Sequence, residues 1–478
     1  MSFKKVALIA LTVACFLTIE SSTSYADQVG LKVGVANPMM LAGKKDTNYI
    51  RVTLSGFELP ETKDRPPVNV AIVIDTSGSM NGKKIAQARK AAVAAVKRLR
   101  DDDIVSVLLY SNSVRVLVPS TKATDRNSII KKIQSVKAKG GTALFAGVSK
   151  GAAEVRKFLA EDYVNRVILL SDGRANVGPQ TPRELERLGM SLLKEGISVS
   201  TLGLGLGYNE DLMTRLASAA SGNHIFVEQA DNLIAVFNDE FNDLMSVVAG
   251  DIGIKARVAD GVRPVRVIGT TADISGQEIY IPLAQLYASQ ERYFVLEVEV
   301  DANKTGTEKP LIHVEAVYQN MISETHEKLA ASINLKFSDS TAEVEKNRDY
   351  ETYAYCTVQL ANERNELATA LRDAGQIDEA RKLLRFNIEE LTQCASSCQE
   401  NLVTDVLPEL ELNVRINGSH SELIEQNDWN RNRKIMRESQ SEVKSQSPSS
   451  RSGSILQSIL GRGSRSLKSP EAKSSQVR

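Results

Sequence analysis

The sequence predicts an α/β fold: a doubly wound, mostly parallel sheet inserted in or beside an antiparallel β-sandwich, followed by a helical hairpin and a disordered tail. Three observations predict it. Between residues 67 and 248, short β-branched apolar runs alternate with longer segments of helical periodicity, the pattern of a sheet covered by helices on both faces. From 249 to 340 the periodicity becomes two, with turn residues between the runs, as antiparallel strands with one wet face require. Beyond 425 Ser, Gln, Asn, Arg and Lys dominate, too polar a mixture to bury a core.

With 478 residues, 42% of them hydrophobic, the chain is long enough for two or three domains. Its formal net charge of zero argues against a nucleic-acid binder. The balance conceals a segregated C-terminus, because residues 431–478 carry a net charge of about +8 and leave the remainder acidic. The expected basic, disordered tail, residues 425–478, is thus suited to anionic envelope surfaces.

At the other end, Lys4 and Lys5 precede an apolar run over residues 6–19 and the small-residue pattern Ser24-Tyr25-Ala26. This reads as a secretory signal peptide over residues 1–26, placing the mature chain in the periplasm or outside the cell. A lipoprotein signal ending at Cys15 is the competing reading; the apolar core before Cys15 is short and continues past it. No later segment is long and apolar enough to span a bilayer. Removing the signal leaves Cys356, Cys394 and Cys398, so Cys356 pairs with Cys394 or Cys398, or all three are buried thiols.

Residues 27–66 contain short alternating segments broken by Pro38 and Gly43, expected to join the sandwich. The domain at 67–248 opens with the buried strand 68–75. There follow an Ala-rich helix (83–99), paired strands (103–110 and 114–118), a helix (142–159) and a second buried strand (165–170) ending in Ser171-Asp172-Gly173. A helix with Pro182 in its first turn, a strand (197–204), a helix (212–220), a short strand (224–227) and a long helix (230–248) complete it. Residues 249–340 make the sandwich and 341–424 a helical segment, with Gly375 breaking two helices whose turn resembles a tetratricopeptide hairpin. Within the tail, residues 455–460 (Ile-Leu-Gln-Ser-Ile-Leu) suit a short amphipathic partner-binding element, although an inert tail is the simpler reading.

The chemistry concentrates at Asp75-Thr76-Ser77-Gly78-Ser79, where the first buried strand opens into a loop. Ligands of open α/β sheets bind at that carboxyl edge. Asp75, Ser77 and Ser79 are hard oxygen donors with little fixed charge, suited to Mg²⁺, Ca²⁺ or Mn²⁺ rather than zinc. Thr142, in the loop with Gly140 and Gly141, and Asp172 at the end of the second buried strand reach the same edge. A polar loop capping a helix would explain Asp75–Ser79 alone, but not all three segments together.

Asp75-x-Ser77-x-Ser79 with Thr142 and Asp172 resembles the metal-ion-dependent adhesion site of von Willebrand factor A domains, a Rossmann-like family. The resemblance covers about residues 67–248. It implies a divalent cation, Mg²⁺ first, held directly by the Ser77 and Ser79 hydroxyls, by Thr142 directly or through water, and by Asp75 and Asp172 mostly through water. It also implies an open coordination position filled by an acidic residue of a protein partner. More weakly, the order of strands, A domain, sandwich and helices resembles secreted bacterial proteins related to inter-alpha-trypsin inhibitor heavy chains. Residues 226–248 and the strands that follow carry this second resemblance.

Other motifs are discounted. Gly203-x-Gly205-x-Gly207 has the wrong spacing for a dinucleotide loop. His224, His313, His326 and His420 stand near no nucleophile motif, and Ser171-Asp172-Gly173 is not a nucleophile elbow. The expectation is a non-enzymatic, extracytoplasmic protein-binding module, adhesive or involved in envelope assembly. The alternatives are an accessory subunit of a secreted hydrolase or protease-inhibitor system, and a structural protein whose metal only stabilises the fold.

Overall fold

The structure, a computed structural model, describes residues 28–59 and 65–446. The expected signal peptide and the segment 455–460 lie outside the described residues. Three strands come first: β1 (Gly30–Val35), β2 (Met39–Leu41) and β3 (Asp46–Ser55). The α/β layer follows as β4 (Val68–Asp75), α1 (Lys83–Arg98), β5 (Ile104–Tyr110), β6 (Val114–Lys122), α2 (Arg126–Gln134), α3 (Leu144–Val155) and β7 (Val164–Ser171). It continues through α4 (Pro182–Lys194), β8 (Ser198–Leu204), α5 (Glu210–Ala219), β9 (His224–Val227) and α6 (Leu233–Met245).

The six strands run in the order β6-β5-β4-β7-β8-β9, parallel except for the antiparallel β5/β6 pair. Every residue of β4, β5, β7 and β8 is buried, which is why these strands read as continuous apolar runs rather than alternating ones. One face packs on α1, α2 and α6, the other on α3, α4 and α5. Local chemistry sets the helix ends. Thr181 and Glu184 cap α4 reciprocally ahead of Pro182. Asp125 caps α2, a nine-residue helix that sequence periodicity does not reveal, by accepting the Ser128 N–H. The helix expected from 142 starts at Leu144 and leaves Thr142 in the loop.

The chain then forms β10 (Val247–Val258), β11 (Val262–Ile268), β12 (Asp273–Ser275), β13 (Glu278–Tyr287), β14 (Glu291–Val300), β15 (Glu308–Asn320) and β16 (Thr325–Ser338). These make two sheets with the first three strands, β1-β3-β14-β11 and β12-β13-β10-β15-β16-β2. Strand β3 pairs with β14 from Asp46 opposite Val300 to Ser55 opposite Glu291, so the α/β layer is inserted within the sandwich. Ile50, Val52 and Leu54 alternate into the sandwich core beside Phe294, Leu296 and Val298. Where the chain leaves β3, a Cβ on Gly56 would lie 2.1 Å from the Tyr287 carbonyl oxygen, so only glycine fits the crossing.

Five helices end the described chain: α7 (Thr341–Lys346), α8 (Tyr350–Asp373), α9 (Ile377–Glu400), α10 (Leu407–Leu423) and α11 (Trp429–Ser445). Gly375, at φ +80°, turns α8 into α9. Helix α8 lies on the four-stranded sheet, where the buried Arg51 pairs with Glu351 and Glu291 and stacks 3.5 Å from the Tyr355 ring centre. Among the described residues no helix is long and apolar enough to cross a membrane.

The structure corrects the expected disordered tail over α11. Its basic residues find partners on distant elements: Arg433 pairs with Glu210, Asp211 and Asp373, Lys434 with Glu210, Arg431 with Glu228 and Lys444 with Glu366. Ile435 and Met436 enter two different apolar clusters, and the Glu438 carboxylate accepts the Phe226 N–H at the edge of the parallel sheet. Polar composition predicts disorder only when charges lack fixed partners, and Glu210, Asp211, Glu228 and Phe226 lie more than 200 residues earlier in the chain. The cysteine pairing left open is not made. Cys356, Cys394 and Cys398 are buried free thiols, and burial pushes Cys394 up to about 12.

Candidate functional site

The centre of the parallel sheet positions the site. Strand β4 has β5 on one side and β7 on the other, so the chain reverses its direction of winding at β4 and opens a crevice at its carboxyl end. Asp75 ends β4 and Ser171 ends β7, with Asp172 next in the chain. The Thr142 loop is drawn in by backbone bonds from the Gly78 N–H to the Gly140 carbonyl (2.9 Å) and from the Lys139 N–H to the Thr76 carbonyl (2.5 Å).

All five singled-out residues meet here. The Asp75 carboxylate accepts the Ser77 N–H at 2.7 Å through Oδ1 and the Ser171 hydroxyl at 2.9 Å through Oδ2. The Ser77 and Ser79 Oγ atoms are 2.9 Å apart, and Ser79 Oγ donates to Asp172 Oδ1 at 2.7 Å. Thr142 is located through Gly173: a Cβ built there would lie 2.8 Å from Thr142 Oγ1 and 3.6 Å from Ser79 Oγ. Gly173 therefore leaves open a cradle between two hydroxyls that any side chain would fill.

Burial gives the site its electrostatic character. Asp75 is fully buried and its hydrogen-bond donors are neutral, so desolvation raises its pKa to about 6. Asp172 is also buried, with the Lys84 ammonium 2.5 Å from its Oδ2. Two buried carboxylates and three hydroxyls at one edge form a hard, oxygen-only donor set, and a divalent cation of the Mg²⁺, Mn²⁺ or Ca²⁺ class fits it. Among the described residues no three His, Cys, Asp or Glu side chains gather in a metal-binding cluster. The donors here are of a different kind, mostly hydroxyl.

Several contributors carry no signal in the sequence. Asn112 Oδ1 accepts the Gly141 N–H at 2.7 Å and Asn176 Oδ1 accepts the Thr142 N–H at 2.8 Å, so two asparagines fix the Thr142 loop. Lys84 lies just beyond the motif, but its direction is set by the fold. The Gly203-x-Gly205-x-Gly207 pattern is a packing feature: Gly203 carries the Tyr208 ring, and a Cβ on Gly207 would lie 2.7 Å from the Asp172 carbonyl oxygen.

The histidines are structural or exposed. Buried His224 bonds Thr201 and Tyr208, and burial lowers its pKa to about 4. Ser439, His420 and Asn365 follow one another in triad order, with 2.9 Å between Ser439 Oγ and His420 Nε2 and between His420 Nδ1 and Asn365 Oδ1. They are 2%, 0% and 1% exposed, and Ser439 lies within α11, so no substrate reaches that hydroxyl. His313 and His326 are exposed and pair with Glu315 and Glu161.

Comparison with known proteins adds the family. Residues 69–240 match the von Willebrand factor type A domain. The uncharacterized protein YfbK of Escherichia coli is 29% identical over 194 residues, 40% of this chain and 34% of that protein. The uncharacterized protein sll0103 of Synechocystis is 28% identical over 247 residues, 50% of this chain and 58% of that one. Inter-alpha-trypsin inhibitor heavy chain H2 of Mus musculus is a distant relative, 32% identical over 177 residues that make up 35% of this chain and 18% of that protein. The matches thus span between about a fifth and three-fifths of these relatives' lengths.

Two solved structures share the fold more widely. The von Willebrand factor type A protein from Catenulispora acidiphila aligns at TM-score 0.63 and 18% identity, over 81% of this chain and 90% of its own. The ArnB paralog VWA2 of Sulfolobus acidocaldarius aligns at TM-score 0.60 and 18% identity, over 87% and 99%. Both alignments extend well beyond the parallel sheet, so the combination of α/β layer and surrounding elements recurs as one fold. Residues 69–240 of this chain are a von Willebrand factor type A domain, inserted in a β-sandwich and backed by C-terminal helices.

Proposed function

We propose that this chain is a non-enzymatic, extracytoplasmic protein-binding module that captures an acidic residue of a partner through a divalent cation, Mg²⁺ first, at the carboxyl edge of its parallel sheet. The observation that carries the reading is the convergence of the Ser77, Ser79 and Thr142 hydroxyls with Asp75 and Asp172 around the cradle left by Gly173. Type A domains commonly serve protein–protein interaction, which supports the class of function. A bound cation would supply an electrophilic centre for a carboxylate. Within this chain, Ser77, Ser79 and Thr142 would hold it, while buried Asp75 and Asp172 supply negative charge behind the hydroxyls. So few anions leave a divalent ion under-neutralised, which favours an incoming acid. The signal-peptide pattern supports a periplasmic or secreted location, and the domain limits read from the sequence remain part of this proposal.

The test is calorimetric titration of Mg²⁺ into the purified chain, followed by partner capture from envelope extract with Mg²⁺ or chelator, using wild type and Asp75→Ala. Metal binding and chelator-sensitive capture, both lost in a folded Asp75→Ala protein, are expected. Retention of both by that variant overturns the proposal. A second reading, that a cation only stabilises the fold, draws on the Asp75–Ser171 bond that links β4 to β7. It predicts equal capture with and without chelator.

A further inference from the structure

Resting on the metal reading above, we infer that Lys84 is a built-in cation that competes with the divalent ion for Asp172 and sets the metal affinity of the site. The Asp172 carboxylate is shared. Its Oδ1 receives Ser79 Oγ at 2.7 Å, and its Oδ2 lies 2.5 Å from Lys84 Nζ. One carboxylate therefore separates the ammonium from the hydroxyl cluster. Asp172 is buried while the Lys84 side chain is 33% exposed, so the lysine has a path to solvent and the carboxylate does not.

The position of Lys84 in α1 is informative. The first turn of α1 contains no acidic residue, and a cation there opposes the helix dipole. Its neighbour Lys83 turns outward to Asp231, both side chains being well exposed. Lys84 instead turns into the site and lies beside Gly205, where a built Cβ would stand in ordinary contact, 3.7 Å from Lys84 Nζ. Asp75, by contrast, has only neutral hydrogen-bond donors.

A divalent ion at the hydroxyls and an ammonium on the same carboxylate repel each other. At separations of roughly 5–6 Å, even water-like screening leaves about a tenfold effect on affinity. Metal loading is therefore weakened while Lys84 stays on Asp172, and withdrawal of the part-exposed lysine toward solvent relieves that repulsion.

The experiment is isothermal titration of Mg²⁺ and Mn²⁺ into the full chain and into Lys84→Gln, Lys84→Met and Lys84→Arg at fixed ionic strength. The neutral variants should bind at least about tenfold more tightly, and Lys84→Arg no more tightly than wild type. Thermal unfolding gives a second readout. Without divalent cation the neutral variants should melt lower than wild type, because Asp172 loses its counter-charge, and Mg²⁺ should raise their Tm by more. If wild type binds metal and both neutral variants bind equally or more weakly, the role of Lys84 is overturned and the metal reading stands. If neither wild type nor the neutral variants bind a divalent cation, the metal reading itself fails and this inference with it.

Discussion

Gly173→Ala is the smallest change that addresses the cradle directly. Gly173 is not one of the glycines at positive φ, so its backbone accepts alanine and only space decides the outcome. The new Cβ would lie 2.8 Å from Thr142 Oγ1 and 3.6 Å from Ser79 Oγ. Ordinary contact begins near 3.4 Å, so the Thr142 hydroxyl has to retreat by about half an ångström. Metal–oxygen distances tolerate only about ±0.2 Å, so that retreat removes Thr142 as a ligand or as a holder of bound water. We expect metal affinity to fall about 10–100-fold, as when a supporting group of a metal site is lost. Stability should fall by about 1–3 kcal/mol from overpacking. Titration calorimetry reads the first quantity and urea unfolding in chelator reads the second. A Gly173→Ala protein that binds Mg²⁺ as wild type does would refute the cradle and the placement of Thr142 in the site.

Other expectations follow from other parts of the molecule. Arg166 and Glu240 are both fully buried and 2.6 Å apart, so Glu240→Ala should cost about 3–5 kcal/mol in denaturant unfolding by removing the carboxylate that pairs with the buried guanidinium, and a cost under about 1 kcal/mol would contradict that. His224, held neutral by burial at about 4, takes up its proton on unfolding below about 6.5, so its contribution to stability is present above that pH and is lost as the pH falls toward 4. In a His224→Gln protein the slope of unfolding free energy against pH between about 5 and 6.5 should lose up to about 1.4 kcal/mol per pH unit, and an unchanged slope would show that His224 is not buried neutral. Gly418, within α10 with no atom near its would-be Cβ, should tolerate alanine with a gain of about 0.5–1 kcal/mol, measured in the same unfolding assay.

The fold was legible where burial imposes its own pattern. Strands β4 and β7 are buried at every residue and therefore appear as unbroken apolar runs, and the ends of those runs locate Asp75 and Asp172 from residue pattern alone. Thr142 was legible because the glycines before it announce a loop. The supports of the site were not. Asn112 and Asn176 are ordinary loop asparagines in sequence, and their roles arise from which backbone N–H groups the fold brings to them. Helix α11 was invisible for a related reason, since its composition is that of a solvated tail and it packs through partners remote in sequence, among them Glu210, Asp211, Glu228 and the Phe226 N–H.

The same helix ties the α/β layer to its surroundings. Loop 205–208 lies between the site and α11. On one side Gly207 presses against the Asp172 carbonyl oxygen and Gly205 borders Lys84. On the other, Asn430 donates to the Leu206 carbonyl at 3.2 Å and Lys434 donates to the Tyr208 carbonyl at 3.1 Å, with its ammonium 4.6 Å from the centre of the Tyr208 ring. A second tie lies beneath the sheet, where Arg166 of β7 reaches both Glu240 of α6 and the Tyr287 hydroxyl of the sandwich, each at 2.6 Å. Displacing α11 removes those hydrogen bonds and the cation–π contact from a loop that touches the residues flanking Asp172 and Lys84. The geometry around Asp172 is therefore a property of the inserted sheet together with its frame, and the frame belongs to the site as much as the motif does.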